Sequence, residues 1–179
     1  MKTRTRTRKT LQNRLDEGQT ITNALNNNTK AQQQKKHRLR TRLKEIMSVS
    51  NNQKCYFMTF TIAPNYYGKE TEFYVKAIKK ALHDVSRQYI FNEDYGTHNE
   101  RLHFHAVLQT DKEIITEYIK GDNFWTESPY KHGLVHVALI NLTDERSKPK
   151  IQEYILKTEN HTVKNTTGRI YYSKRKKTT

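Results

Sequence analysis

With 179 residues the chain has room for one domain with a real core plus appendages, and too little for two ordinary domains. It holds 33 Lys and Arg against 18 Asp and Glu, and the excess lies at the ends: 13 against 3 over residues 1–45, 6 against none over residues 164–179, and near balance between. A single cysteine, Cys55, excludes a disulfide framework and a cysteine-rich zinc module, and no stretch approaches the roughly 20 apolar residues of a membrane span.

Residues 1–50 contain no aromatic residue and are rich in Gln, Asn, Thr, Lys and Arg, a composition that buries little surface. They read as a basic arm, flexible or partly helical, that ends near residue 50. No apolar h-region follows the basic start, so an intracellular, cytoplasmic protein is expected. The domain proper is expected over residues 51–163, and residues 164–179 read as a basic C-terminal tail. Two ends with the same charge bias suit a phosphate backbone, because each Lys or Arg contact releases counterions. Arg38, Arg40 and Arg42 in the arm and Lys174 and Arg175 in the tail are the candidate DNA contacts.

From Cys55 to Ile62 the sequence alternates, with Tyr56, Met58, Phe60 and Ile62 on one face and Phe57, Thr59 and Thr61 on the other, which predicts a strand. Pro64, Asn65 and Gly68 close it with a loop. Phe73, Ala77, Ile78, Ala81, Leu82 and Val85 recur at helical spacing and predict an amphipathic helix. A second strand, Gln88 to Asn92 or slightly beyond, leads into a polar turn at Glu93-Asp94-Tyr95-Gly96 and then into the strand Arg101–Leu108. Asp111 as N-cap and Gly121 as terminator predict a short helix through Ile114, Ile115, Tyr118 and Ile119. An aromatic loop from Phe124 to Tyr130 precedes a strand at Leu134–Ile140, in which His136 reads as a structural or groove residue. Ser147 caps a last helix that runs to about Thr158. The order strand, helix, strand, strand, helix, strand, helix is close to a ferredoxin-like (RRM-like) α+β fold, a central antiparallel sheet with flanking helices.

Within Arg101–Leu108 the two-residue period points His103 and His105 one way and Leu102, Phe104 and Ala106 the other. Two imidazoles on a rigid strand are either polar residues on a solvated face or one side of a divalent-metal site. An acid lies just upstream across the expected hairpin. A later helix places Lys157 three residues after Tyr154, on a neighbouring face. A tyrosine hydroxyl can attack a phosphodiester when a metal draws charge from the non-bridging oxygens and a cation supports the developing negative charge.

Three motifs, in this order over roughly residues 55–160, resemble those of the HUH endonucleases, and among them the single-tyrosine rolling-circle replication initiators of small plasmids, phages and single-stranded DNA viruses. Phe57-Met58-Thr59-Phe60-Thr61 is similar to the family's first strand, His103-Phe104-His105 to its His-hydrophobic-His metal motif, and Tyr154-Ile155-Leu156-Lys157 to its Tyr-x-x-Lys motif. The resemblance implies that His103 and His105 ligate Mg²⁺ or Mn²⁺ with an acidic third ligand. Asp94 is preferred for it, within a run similar to the family's acid-Tyr-Gly, and Glu93 is the other choice. It further implies that Tyr154 attacks the scissile phosphate to give a 5′-phosphotyrosine, with Lys157 positioning it or supporting the transition state. Position 158 is Thr, so no second tyrosine follows one turn on. No Gly-x-x-x-x-Gly-Lys loop occurs, so a host helicase and polymerase are implied partners beside single-stranded origin DNA. A single-tyrosine transposase and a non-catalytic nucleic-acid-binding domain on the same sheet are the alternatives.

Overall fold

The computed structural model describes residues 30, 33–35, 37–48, 53–95, 101–144, 146–156, 162–163, 166–167 and 169–173. The chain divides into two compact units, Met1–Leu39 and Arg40–Thr179. In the first, the described residues are helical and Arg38 is exposed.

The second unit begins with helical residues 40–46, upstream of the boundary expected at residue 50. Leu43, Ile46 and Met47 recur three to four residues apart and are all buried. That stripe gives this stretch a packed face despite its polar composition. The Cys55 thiol donates to the Ile46 carbonyl at 3.8 Å. Arg40 is exposed, whereas Arg42 pairs with Glu45 at 3.3 Å and donates to Ser173 Oγ at 3.0 Å. Arg42 is therefore engaged within the fold.

The strands are β1 (Lys54–Phe60), β2 (Gln88–Tyr95), β3 (Leu102–Thr110), β4 (Thr116–Ile119), β5 (Asp122–Trp125), β6 (Val135–Leu139), β7 (Thr162–Val163), β8 (Thr166–Thr167) and β9 (Ile170–Tyr172). The two main helices are α1 (Thr71–Val85) and α2 (Ser147–Leu156). Seven strands form one sheet in the order β4-β5-β6-β1-β3-β2-β9, every pairing antiparallel, while β7 and β8 pair separately. The protein is thus α+β, built on a seven-stranded antiparallel sheet. No helix among the described residues is long and apolar enough to cross a membrane.

The alternation expected in β1 holds: Tyr56, Met58 and Phe60 are buried on the α1 face, and Phe57 and Thr59 are half-buried on the other. α1 seats Tyr74, Val75, Ile78, Ala81 and Leu82 on the sheet, against Phe91, Phe104, Ala106, Leu108, Val135 and Val137. Phe73, expected in that stripe, is mostly outside it and lies against the His132 ring at 4.6 Å.

The helix expected over 111–121 is a β-hairpin instead. Ile119 pairs with Asp122 across a two-residue turn, Lys120-Gly121, whose φ angles are +51° and +98°. Two positive φ values are what a hairpin turn of matching twist needs, and glycine supplies one without strain. The run Ile-Ile-Thr-Glu-Tyr-Ile satisfies a helical spacing by chance, but its β-branched and aromatic side chains favour a pleated surface.

The tail also differs from expectation. β9 adds to β2, with Ile90, Phe91 and Asn92 opposite Tyr172, Tyr171 and Ile170. Without β9, β2 would present a bare edge of unpaired backbone groups. The Tyr171 ring stacks on Phe91 at 4.8 Å, which fixes a segment whose charge alone suggests a loose end. Lys174 and Arg175 lie outside the described residues.

Candidate metal centre

β2 runs straight through the residues expected to form a turn. Its register with β3 sets Asp94 opposite His103 and Asn92 opposite His105. Directly opposed residues share a face, and this face is the one turned away from α1. Asp94 Oδ2 lies 3.6 Å from His103 Nε2 and 3.4 Å from His105 Nε2. One ligand atom from each of the three residues falls within 4.8 Å of the others. Asp94 and His105 are buried and His103 is half-buried, so the trio has limited access to water.

The outer nitrogens orient the rings. His103 Nδ1 lies 3.0 Å from the Arg101 carbonyl oxygen, an atom that only accepts, so a neutral His103 carries its proton on Nδ1 and offers the Nε2 lone pair toward Asp94. His105 Nδ1 lies 3.0 Å from Thr59 Oγ1, which can accept in the same sense. The Phe57 ring stacks on His105 at 5.4 Å with 21° between planes. Two imidazole nitrogens aimed at a carboxylate, each held from behind, make a donor set that fits a divalent ion.

Glu93 does not join them. It points through the sheet to the α1 side, where Oε1 accepts from the Tyr171 hydroxyl at 2.5 Å and Oε2 from the Arg169 amide at 3.2 Å. Burial and then this contact with Glu93 push the Tyr171 hydroxyl above its ordinary range. Of the two adjacent acids, Asp94 is the one beside the histidines.

Tyr154 comes from α2. Ahead of this helix the Asp144 carboxylate accepts from Ser147 Oγ at 2.7 Å and from the Arg146 amide at 2.9 Å. These bonds hold the Asp144 carboxyl below its usual range, the Ser147 hydroxyl first, so Asp144 secures the helix start expected of Ser147. Ile155 is fully buried, while Tyr154 is 45% exposed. The Tyr154 ring meets His105 edge-on, centroids 4.8 Å apart at 87°, and Phe57 at 5.9 Å. Asn92, itself fully buried, donates its amide to the Tyr154 and Ile155 carbonyls at 3.3 and 3.0 Å. The strand that carries Asp94 thus also holds the end of the helix that carries Tyr154. Lys157 lies outside the described residues.

His136 shares this face: Thr59 stands opposite His105 on one side and His136 on the other. It belongs to a separate group, its ring 4.3 Å from Phe124 and its Nδ1 3.7 Å from Asp122 Oδ2. Thr59 and Asn92 are the site residues that sequence reasoning missed. Their positions on the histidine face of β1 and β2 were the available signal. No family model, curated protein or solved structure matches this chain.

Proposed function

We propose that the chain is a metal-dependent DNA nickase and strand transferase of the HUH endonuclease type, an initiator of rolling-circle replication. The observation that carries the reading is the contact of the Tyr154 ring with His105 beside Asp94 and His103. It brings the third motif of the resemblance against the second although some fifty residues separate them. The strand order β6-β1-β3-β2, which is that of a ferredoxin-like sheet, supports it further.

Tyr154 Oη attacks the scissile phosphorus, an O–P bond forms, and the bond to the 3′-oxygen breaks. The phenolic proton is lost and the leaving oxygen gains one, so the products are a 5′-phosphotyrosine and a free 3′-OH. Mg²⁺ or Mn²⁺ held by Asp94, His103 and His105 would supply Lewis acidity at a non-bridging oxygen. Thr59 and the Arg101 carbonyl keep both rings aimed, Asn92 keeps the helix docked, and Lys157 is the cation the resemblance assigns to the transition state. Attack by the free 3′-OH on the phosphotyrosine reverses the step and rejoins the strand. Host helicase and polymerase would provide unwinding and synthesis in the cytoplasm.

The test is to incubate the protein with single-stranded origin DNA and Mn²⁺ and look for a covalent adduct on a denaturing gel. An adduct is expected that EDTA abolishes and Tyr154→Phe does not form. An adduct retained by Tyr154→Phe would move the nucleophile elsewhere. Tight DNA binding with no adduct under any metal would leave a non-catalytic binding domain.

A further inference from the structure

A second feature lies at the same end of the sheet as the metal centre, on the opposite face. The loop leaving β1, the first turns of α1 and the start of β3 enclose a pocket of about 280 Å³, lined by Ile62, Tyr67, Gly68, Lys69, Tyr74, Arg101 and Leu102. Its floor is apolar: Ile62 and Tyr74 are buried and Leu102 packs against the core. The Tyr74 hydroxyl is occupied by the Tyr66 carbonyl, so Tyr74 offers the pocket its ring. Tyr67 is 46% exposed. Lys69 and Arg101 stand exposed at the rim. Among the described residues neither forms an ion pair, and Arg101 lies over the Tyr67 ring at 5.8 Å.

Flat apolar walls beneath two cations that form no ion pair among the described residues suit an unstacked base with its phosphate. The pocket is also tied to the metal centre, because the Arg101 carbonyl is the atom 3.0 Å from His103 Nδ1. We infer that this pocket takes a nucleotide of the single-stranded substrate flanking the scissile phosphate, the base against Tyr67, Ile62 and Leu102 and the phosphate between Lys69 and Arg101. A strand leaving the site face passes over Arg101 to reach it. A paired base could not enter, so the pocket would select single-stranded DNA. The inference rests on the DNA reading above, but it concerns binding and needs no cleavage.

The experiment measures fluorescence anisotropy of a labelled oligo(dT) strand on Tyr154→Phe protein with EDTA present, across a salt series. Lys69→Ala with Arg101→Ala should reduce the slope of log affinity against log salt by about 0.7, the contribution of one neutralised single-strand phosphate. Lys80→Ala, an exposed control on α1, should leave the slope in place. Tyr67→Ala should weaken binding about tenfold with the slope unchanged, and much less for a fully abasic strand of the same length. An unchanged slope in the double variant, an equal change in Lys80→Ala, or a Tyr67 effect that ignores the missing bases would each overturn the pocket. Absence of the covalent adduct in wild-type protein would instead sink the nickase and leave these binding results standing.

Discussion

Asn92→Ala tests how the tyrosine is held against the candidate metal centre. The side chain is fully buried, and its amide donates to the Tyr154 and Ile155 carbonyls at 3.3 and 3.0 Å. Carbonyls at a helix end have no partner within the helix, so side chains or water must satisfy them. Removing the amide forfeits two hydrogen bonds at about 1 kcal/mol each and leaves buried acceptors at about 1–3 kcal/mol. Against that, Asn92 Oδ1 is buried without a hydrogen-bond partner among the described residues, and its removal returns part of the loss. The net is a destabilisation of about 2 kcal/mol. Urea unfolding followed by circular dichroism should show that loss. Single-turnover adduct formation at saturating DNA and Mn²⁺ should slow at least tenfold while the dissociation constants for DNA and Mn²⁺ stay put. A merely structural asparagine would move the unfolding midpoint and spare the adduct rate in the folded fraction. An unchanged midpoint and rate together would refute the reasoning.

Burial pushes the Cys55 thiol up to about 12 from its ordinary 9.0. The unfolded chain therefore releases this proton first as pH rises. Cys55 should lower stability by up to about 1.4 kcal/mol per pH unit between pH 9 and 12, with no effect below 9, and Cys55→Ala should flatten that stretch of a urea-midpoint profile. Gly133→Ala should cost about 2 kcal/mol or more. Its Cβ would stand 2.0 Å from the Thr61 carbonyl oxygen, between the bonds Thr61 N–H to Leu134 O at 2.9 Å and Ala63 N–H to His132 O at 2.8 Å. Thermal melts of Gly133→Ala and of an exposed-site control, Lys80→Ala, would separate a true clash from general sensitivity.

Much of this architecture is legible because strands with one buried face write a two-residue period into sequence. β1 follows it, and α1 shows its 3.6-residue stripe, whereas β3 is buried on both faces from Phe104 on. The failures share a cause: the deciding interaction is distant or confined to a turn. Thr116–Trp125 is a hairpin because Lys120-Gly121 accepts two positive φ angles, a local fact that four spaced apolar residues outvote. β9 forms because β2 needs a neighbour and Tyr171 finds Phe91 and Glu93. Nothing in the tail's charge announces that. The same limit hides Thr59 and Asn92, whose roles exist only once β1, β2 and α2 come together.

The pair Glu93 and Asp94 shows how far parity carries the candidate site. Either acid suits a metal beside His103 and His105, and composition offers no choice between them. The choice follows from register alone: Asp94 opposes His103, so its carboxylate shares the histidine face, and Glu93 must face α1. There it would be a costly buried charge without partners, and Tyr171 and the Arg169 amide supply them. One strand thus carries two buried acids in separate settings, Asp94 at the candidate metal centre and Glu93 fastening the C-terminal strand beside it. A slip of one residue in the β2–β3 register would exchange them, placing Glu93 by the histidines and stripping β9 of its anchor. The tail strand that looks dispensable in sequence therefore helps hold Asp94 on the right face.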